Sequence, residues 1–423
     1  MYDVIVIGAG VSGVTFATKI SKYVKTLLIE AQDYQKEIPI RTNIFPEHNR
    51  PFVKEILDWD NKEIFPNPHT TSNYMSDEFN GVINSEEFGI PLGNVCYTEN
   101  LIQILLNKVE AQGGTFHSNE RISKINRHND YLEIINTKGD SYNTKVLILA
   151  TGSRGFELQR SLGFQVPDSY SGVYLHLFAD ESKINKNLSW NYTFHINPKI
   201  SRNGPFFFNK GVERISAGYL GEKNQSKEEI ISKLERILKN YKPIQSVMQG
   251  LTYNISDAIV GEISKHPIKR YSDDRILILG EAAGIVTAFF YEGLLPGVAC
   301  ADIAFNTLKT LFENGSNFSR TELQKYDSEV NRVLMTYFKN GNAFEYLIYN
   351  DSSSVKSIWR LYTKLLSENK TCRKYIYEAY INQDLSKHKV SNDRYVGEKM
   401  FGMLPTLSKV TLSPKFVRAM FML

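Results

Sequence analysis

Four consecutive apolar residues, Val4-Ile5-Val6-Ile7, stand near the start of the chain and stop at a glycine. A run this short, closed by a turn residue, predicts a buried strand. Val14, Ala17 and Ile20 then recur at helical spacing, and a second apolar run, Thr26-Leu27-Leu28-Ile29, ends at Glu30. Two later apolar strands also end in small residues: 145–152 reads KVLILATG and 275–284 reads RILILGEAAG. Leu101, Leu105 and Val109 predict a helix over 101–112. Trp190, Tyr192 and Phe194 alternate, which on a strand puts all three on one face. Phe206-Phe207-Phe208 and Ile215, Ala217, Tyr219 extend this aromatic, β-rich region. Ser226 and Glu229 form a capping box ahead of Ile230, Leu234, Ile237 and Leu238, predicting a further helix. From 311 onward the pattern is helical and aromatic, with Tyr337, Phe338, Phe344, Tyr346, Tyr349, Trp359 and Tyr362.

Composition narrows the class. With 423 residues, 42% hydrophobic and 23% charged, the chain is long enough for two or three globular domains, which excludes bulk disorder and a small disulfide scaffold. A net charge of +4 is too even for a dedicated nucleic-acid binder, so no nucleic-acid partner is expected. The charge is unevenly spread: from Val355 to the end there are 13 Lys and Arg against 5 Asp and Glu. That excess suits a solvated helical face, or peripheral contact with an anionic membrane surface. Cys96, Cys300 and Cys372 are far apart, with no CxxC pair, so neither a metal site nor a disulfide framework is expected and a reducing, cytoplasmic setting follows. Val4–Ile7 is too short for a secretory core. The most membrane-like stretch, 284–305, carries Glu292, Pro296 and Asp302 and is read as buried protein.

The candidate chemistry begins at the first turn. Gly8, Gly10 and Gly13 form GxGxxG between the strand and the helix. In such a loop the first glycine permits the tight turn, the second lets a pyrophosphate approach the backbone, and the third allows close helix–strand packing. The helix start offers free N–H groups to phosphate. Glu30, 22 residues after Gly8, is placed to accept hydrogen bonds from an adenosine ribose. A free 2′-hydroxyl is implied, hence FAD or NAD rather than NADP. The loop residues Ala9, Val11 and Ser12, and Ala31 after the acid, belong to the same candidate site. Strand ends carry ligands in open parallel sheets, so Thr151 and Gly152, and Gly280, Glu281, Ala283 and Gly284, join it.

Together these segments resemble the FAD-binding fold of aromatic hydroxylases, flavin-dependent halogenases and geranylgeranyl reductases. In that group the last motif usually reads GDAAG, followed by a proline and GEG. Gly280-Glu281-Ala282-Ala283-Gly284 matches with Glu for Asp; Glu292-Gly293 matches the GEG end, while Tyr291 and Ala288 replace its first glycine and the proline. The ADG motif is similar to Ala150-Thr151-Gly152, with Thr151 in place of the acid. Pro39-Ile40-Arg41 resembles the Pro-Val-Arg run of archaeal geranylgeranyl reductases, with Thr42 replacing their cysteine. Arg41 is either a contact for flavin or its phosphates, or a surface arginine. Residues 190–198, WNYTFHINP, loosely resemble those reductases' YxWxFP anchoring motif.

The resemblance implies an α/β (α+β) fold. A discontinuous Rossmann-like FAD-binding domain is expected at 1–45, 93–172 and 253–310. A β-sheet substrate domain is expected at 46–92 and 173–252, and a helical C-terminal region at 311–423. It implies bound FAD, no metal, and reduction of C=C bonds in a small apolar or lipid-like, isoprenoid-type substrate. An external donor, NAD(P)H or ferredoxin-type, would supply electrons. Trp190, Tyr192, Phe194 and Phe207 are the candidate substrate contacts, Glu292 and Gly293 shape the flavin site, and Tyr291 and His195 are the candidate proton donors. Two alternatives stand: an oxygen-activating monooxygenase or halogenase acting on an aromatic substrate, and a non-catalytic FAD-binding protein.

Overall fold

The computed structural model describes residues 1–47, 54–349, 352–382 and 384–423; residues 48–53, in the expected substrate domain, lie outside the described residues. Tyr2–Ile7 is a central strand of an eight-stranded sheet. It pairs in parallel with Ser141–Leu149 on one side and Thr26–Ile29 on the other. Ile276–Ile278 and Thr115–His117 continue the parallel order outward. A parallel strand covered on both faces reads as an unbroken apolar run, and Val4, Ile5, Val6, Leu27, Leu28 and Leu147 are fully buried. Helices Val11–Ile20, Thr98–Ala111 and Leu294–Glu313 supply cover, the second being the helix expected over 101–112. Leu294–Glu313 is largely buried, and no described helix is long and apolar enough to cross a membrane.

A seven-stranded sheet forms the second layer. Its order is Ile259–Lys265, Asp168–Phe178, Arg214–Leu220, Phe206–Lys210, Tyr192–His195, Thr71–Met75, Asn80–Asn84. All pairs are antiparallel except Tyr192–His195 with Thr71–Met75. Ile259–Lys265, expected in the nucleotide domain, is an edge strand here, and Asp168–Phe178 runs through the expected break at 172. Long-range pairing decides where the chain passes between layers, and neither strand carries a local mark of it.

One face of this sheet buries Phe206, Phe208, Ile215 and Tyr219 under helix Lys227–Asn240, which starts at the Ser226–Glu229 capping box. The other face packs Tyr74 and Phe194 against Phe344, Trp359 and Tyr362 of the C-terminal helices. Trp190 departs from the alternation: the strand begins at Tyr192, and Trp190 joins the opposite cluster. Asn191 sets that start, its Oδ1 accepting from the N–H groups of Thr70 and Thr71 at 2.9 and 3.2 Å. Helices Arg320–Ile348, Ser352–Glu368, Lys370–Ile381, Val390–Gly402 and Thr406–Met422 complete the chain.

Candidate active site

The loop after the first strand has three glycines with three different constraints. Gly8 sits at φ +102°, and a Cβ there would collide with the Ala150 carbonyl; a Cβ on Gly13 would collide with the Gly8 carbonyl. Both are demanded by the protein's own packing. Gly10 is not: its φ is −65°, and a Cβ there would meet nothing within 4 Å. The space beside it is a cavity. Helix Val11–Ile20 begins there with no acidic residue in its first turn, and Gly10, Val11 and Ser12 at its positive end line the cavity. Glu30 braces the loop, accepting from Ala9 N–H through Oε2 and from Gln32 N–H through Oε1, both at 2.8 Å.

The cavity has a volume of about 900 Å³. Among the sequence-predicted residues, Gly8, Gly10, Val11, Ser12, Glu30, Ala31, Arg41, Thr151, Gly152, Glu281, Tyr291, Glu292 and Gly293 line it, with Tyr192 and Phe207. Ala9, Gly13, Gly280, Ala283 and Gly284 stand behind this wall and shape it. Gly280 and Gly284 adopt φ +61° and +72°, and a Cβ on Gly284 would collide with the His266 carbonyl. Trp190, Phe194 and His195 do not line the cavity. Phe194 is fully buried behind Phe290, ring centroids 4.8 Å apart. Two polar groups at the middle strand ends differ in satisfaction. Glu281 Oε1 accepts from Ser264 N–H at 3.1 Å, and burial raises its pKa; Thr151 Oγ1 is buried without a partner.

Beyond these groups the cavity opens into a chamber lined by His69, Tyr74, Phe290, Tyr337, Phe344 and Tyr380. Sequence reasoning did not find these residues, nor Tyr34, Arg154 and Tyr174 nearer the glycine loop. Arg154, two residues after Gly152, carried a usable signal. The chamber aromatics come from separate strands and helices and carried none.

The two candidate proton donors are otherwise engaged. His195 Nδ1 lies 2.8 Å from the Met75 carbonyl and Nε2 lies 2.6 Å from the Tyr241 hydroxyl; burial lowers its pKa to about 4. It faces the opposite side of the sheet from Tyr192 and Phe207, because successive side chains alternate. Tyr291 does reach the cavity, at φ +54°, a left-handed conformation that explains why a glycine suits this place. Its hydroxyl donates to the Asn203 carbonyl at 2.7 Å.

Glu292 is differently placed. Its Oε1 accepts from Leu295 N–H at 2.7 Å at the start of helix Leu294–Glu313, while its Oε2 is buried with no partner. Burial pushes this carboxyl up to about 7, against the lowering effect of the Leu295 and Leu294 N–H groups. Tyr192, Tyr337 and Tyr380 are raised in turn, chiefly by burial, and the Glu292 charge adds to each.

No family model matches the chain. A ferredoxin–NADP reductase of Methylibium petroleiphilum is 30% identical over 90 residues, 21% of this chain, so the chain spans about a quarter (24%) of the length of that relative. A geranylgeranyl bacteriochlorophyll reductase-like protein of Thermoplasma acidophilum superposes with a TM-score of 0.73 at 16% identity, covering 98% of this chain and 99% of that one. Halogenase PltM, in complex with phloroglucinol and FAD, gives 0.68 at 12% identity over 99% and 96%. A flavoprotein/dehydrogenase of Cytophaga hutchinsonii gives 0.64 at 15% identity over 90% and 98%. The chain has the fold of these flavoproteins. Within this flavoprotein fold, the glycine loop and the Glu30, Thr151 and Glu281 strand ends open on one cavity, and the aromatic chamber continues it.

Proposed function

We propose that the protein is an FAD-dependent oxidoreductase that reduces C=C bonds of an apolar, isoprenoid-type substrate. One observation carries this reading: a single cavity joins the glycine loop and Glu30 to a tyrosine-rich aromatic chamber, with the unpartnered Glu292 carboxyl oxygen in the same wall.

The residues present fit FAD. The open space beside Gly10 accommodates a pyrophosphate, with Gly8, Ala9, Val11, Ser12 and Gly13 shaping the loop around it. Glu30 and Ala31 suit the adenosine ribose. Arg41, Arg154 and the orphaned Thr151 hydroxyl suit the phosphates and polyol, as does Glu281 backed by Gly152, Gly280, Ala283 and Gly284. Glu292 and Gly293, at the start of a 20-residue helix, suit the ring end. When bound and reduced, FAD supplies a hydride.

The chain's own groups do the rest. The aromatic walls exclude water and orient the alkene through Tyr192, Phe207 and Tyr74. Glu292, neutral below about pH 7, holds a proton on Oε2 for the carbon adjacent to the one that receives hydride. Electrons come from a nicotinamide or ferredoxin-type donor, supported by the 90-residue similarity to a ferredoxin–NADP reductase. Peripheral docking on an anionic membrane is supported by helix Thr406–Met422. Leu407, Val410, Val417 and Phe421 are 53% to 86% exposed on one face of this helix, which has no acidic residue.

The test is anaerobic. Purified protein is expected to be yellow and, once reduced, to convert a polyprenyl substrate to products heavier by about 2 Da per double bond, the mass of one hydride plus one proton. Product formation that requires oxygen refutes the reductase reading in favour of oxygen activation.

A further inference from the structure

We propose that His388, Asp393 and Asn340 form a binding site for a neutral hydroxyl group, and that the substrate is therefore a polyprenyl alcohol rather than a polyprenyl diphosphate. This deepens the reductase reading and rests on it.

His388 follows the short turn Leu385–Lys387. Asp393 lies in the first turn of helix Val390–Gly402, where the positive end of the helix favours a carboxylate. The two side chains meet at 2.6 Å, His388 Nε2 against Asp393 Oδ2. Both are only 6% exposed, and both residues line the chamber. The Tyr337 ring stands edge-on to the His388 ring, centroids 6.1 Å apart. Asn340 comes three residues after Tyr337 in helix Arg320–Ile348, so it shares that face, and it lines the chamber too. The C-terminal helices thus set one polar spot into a wall whose other members include Phe344, Tyr362 and Ile376.

Two groups in this spot are not used by the protein. His388 Nδ1 and the Asn340 amide make no hydrogen bond among the described residues. Polar groups set among apolar walls cost free energy until a partner arrives. The chemistry on the page selects that partner. A hydroxyl both donates and accepts, so it bonds Nδ1 whether that nitrogen carries a proton or a lone pair. The Asn340 amide offers an N–H or a carbonyl oxygen to the same hydroxyl. A diphosphate fits badly, because it would meet the Asp393 carboxylate and needs cations around it. Among the described residues, those that region 311–423 contributes to the cavity include no lysine or arginine. The arginines of the cavity, Arg41, Arg121 and Arg154, all come from earlier segments. Arg121 directly follows Glu120, whose N–H donates to the Glu30 carbonyl at 2.8 Å, and Arg154 stands two residues after Gly152.

The test compares ligands with one hydrocarbon chain and different ends: geraniol, geranyl diphosphate and 2,6-dimethylocta-2,6-diene. Equilibrium dialysis against oxidised, FAD-loaded protein gives each Kd without turnover. Wild-type protein is expected to bind geraniol about tenfold more tightly than geranyl diphosphate. His388→Phe keeps a ring and removes the nitrogens. It is expected to raise the geraniol Kd about tenfold and to leave the diene Kd within about twofold, with FAD content unchanged. A merely structural histidine would shift both ligands together. Asn340→Leu, at a half-buried position, is expected to raise the geraniol Kd about threefold with the diene again unmoved, and carries the test if His388→Phe does not fold. Geranyl diphosphate binding as tightly as geraniol overturns the proposal, as do folded variants with wild-type geraniol Kd. Wild-type protein that prefers geraniol but reduces no polyprenyl alkene under argon would instead overturn the reading on which it rests.

Discussion

Replacing Glu292 by Gln probes the site in two independent ways. The native carboxyl moves from its ordinary 4.5 to about 7 because burial disfavours its charged form. Being raised, it makes a contribution to stability that is fully present below pH 4.5 and is lost as pH climbs through 7. At about 1.4 kcal/mol per pH unit, the interval between the two values amounts to about 3 kcal/mol. Gln keeps the shape and the acceptor for Leu295 N–H but cannot ionise. Urea unfolding of FAD-free protein at pH 5 and pH 8 should therefore show a wild type that loses stability on going alkaline and a Glu292→Gln variant that loses less by about this amount. The catalytic arm runs in parallel. Wild-type kcat/KM should fall above about pH 7 as the acid is lost, and the variant should be slower by roughly 10²- to 10⁴-fold at pH 6 with that pH dependence gone. Identical pH slopes of stability in the two proteins would refute the assigned burial, and a variant of wild-type rate would refute the proton donor.

Four further outcomes are expected. Gly10→Leu should fold within about 0.5 kcal/mol of wild type, since nothing lies within 4 Å of its Cβ, yet bind FAD at least tenfold more weakly by absorbance titration; Gly13→Leu, which collides with the Gly8 carbonyl, should fail to fold. Tyr291→Phe loses the bond to Asn203 and should cost about 1 kcal/mol in urea unfolding while retaining turnover. His195→Ala should cost about 2 to 3 kcal/mol of stability through its two lost bonds, with kcat unchanged per folded molecule. Leu407→Glu with Phe421→Glu should abolish co-sedimentation with phosphatidylserine vesicles, which wild type should bind better than neutral ones; equal binding by both proteins would remove the membrane role of this face.

The glycine-loop end of the fold was legible because its constraints are local. GxGxxG, the apolar runs and Glu30 lie within thirty residues, and each acts on backbone a few positions away, through a positive φ at Gly8 or a carbonyl that Gly13 must clear. The capping box at Ser226 is local in the same way and predicted its helix correctly. The helical character of 311–423 followed from periodicity alone. What could not be read was anything that depends on which strands pair. Ile259–Lys265 enters the second sheet through ladder bonds to a strand some ninety residues earlier, so composition gave no sign of it. Alternation of Trp190, Tyr192 and Phe194 implied a shared face, but only the strand's start at Tyr192 decides which residues obey the pleat. The same applies to chemistry. His195 and Tyr291 were plausible donors by residue type, and their partners Met75, Tyr241 and Asn203 are distant in sequence. Glu292 gained its raised pKa, and Tyr380 its contacts with Ser72 and Tyr74, from side chains that folding gathers around them. Backbone geometry is encoded over a few residues, whereas burial and hydrogen-bond partnership belong to the packed whole.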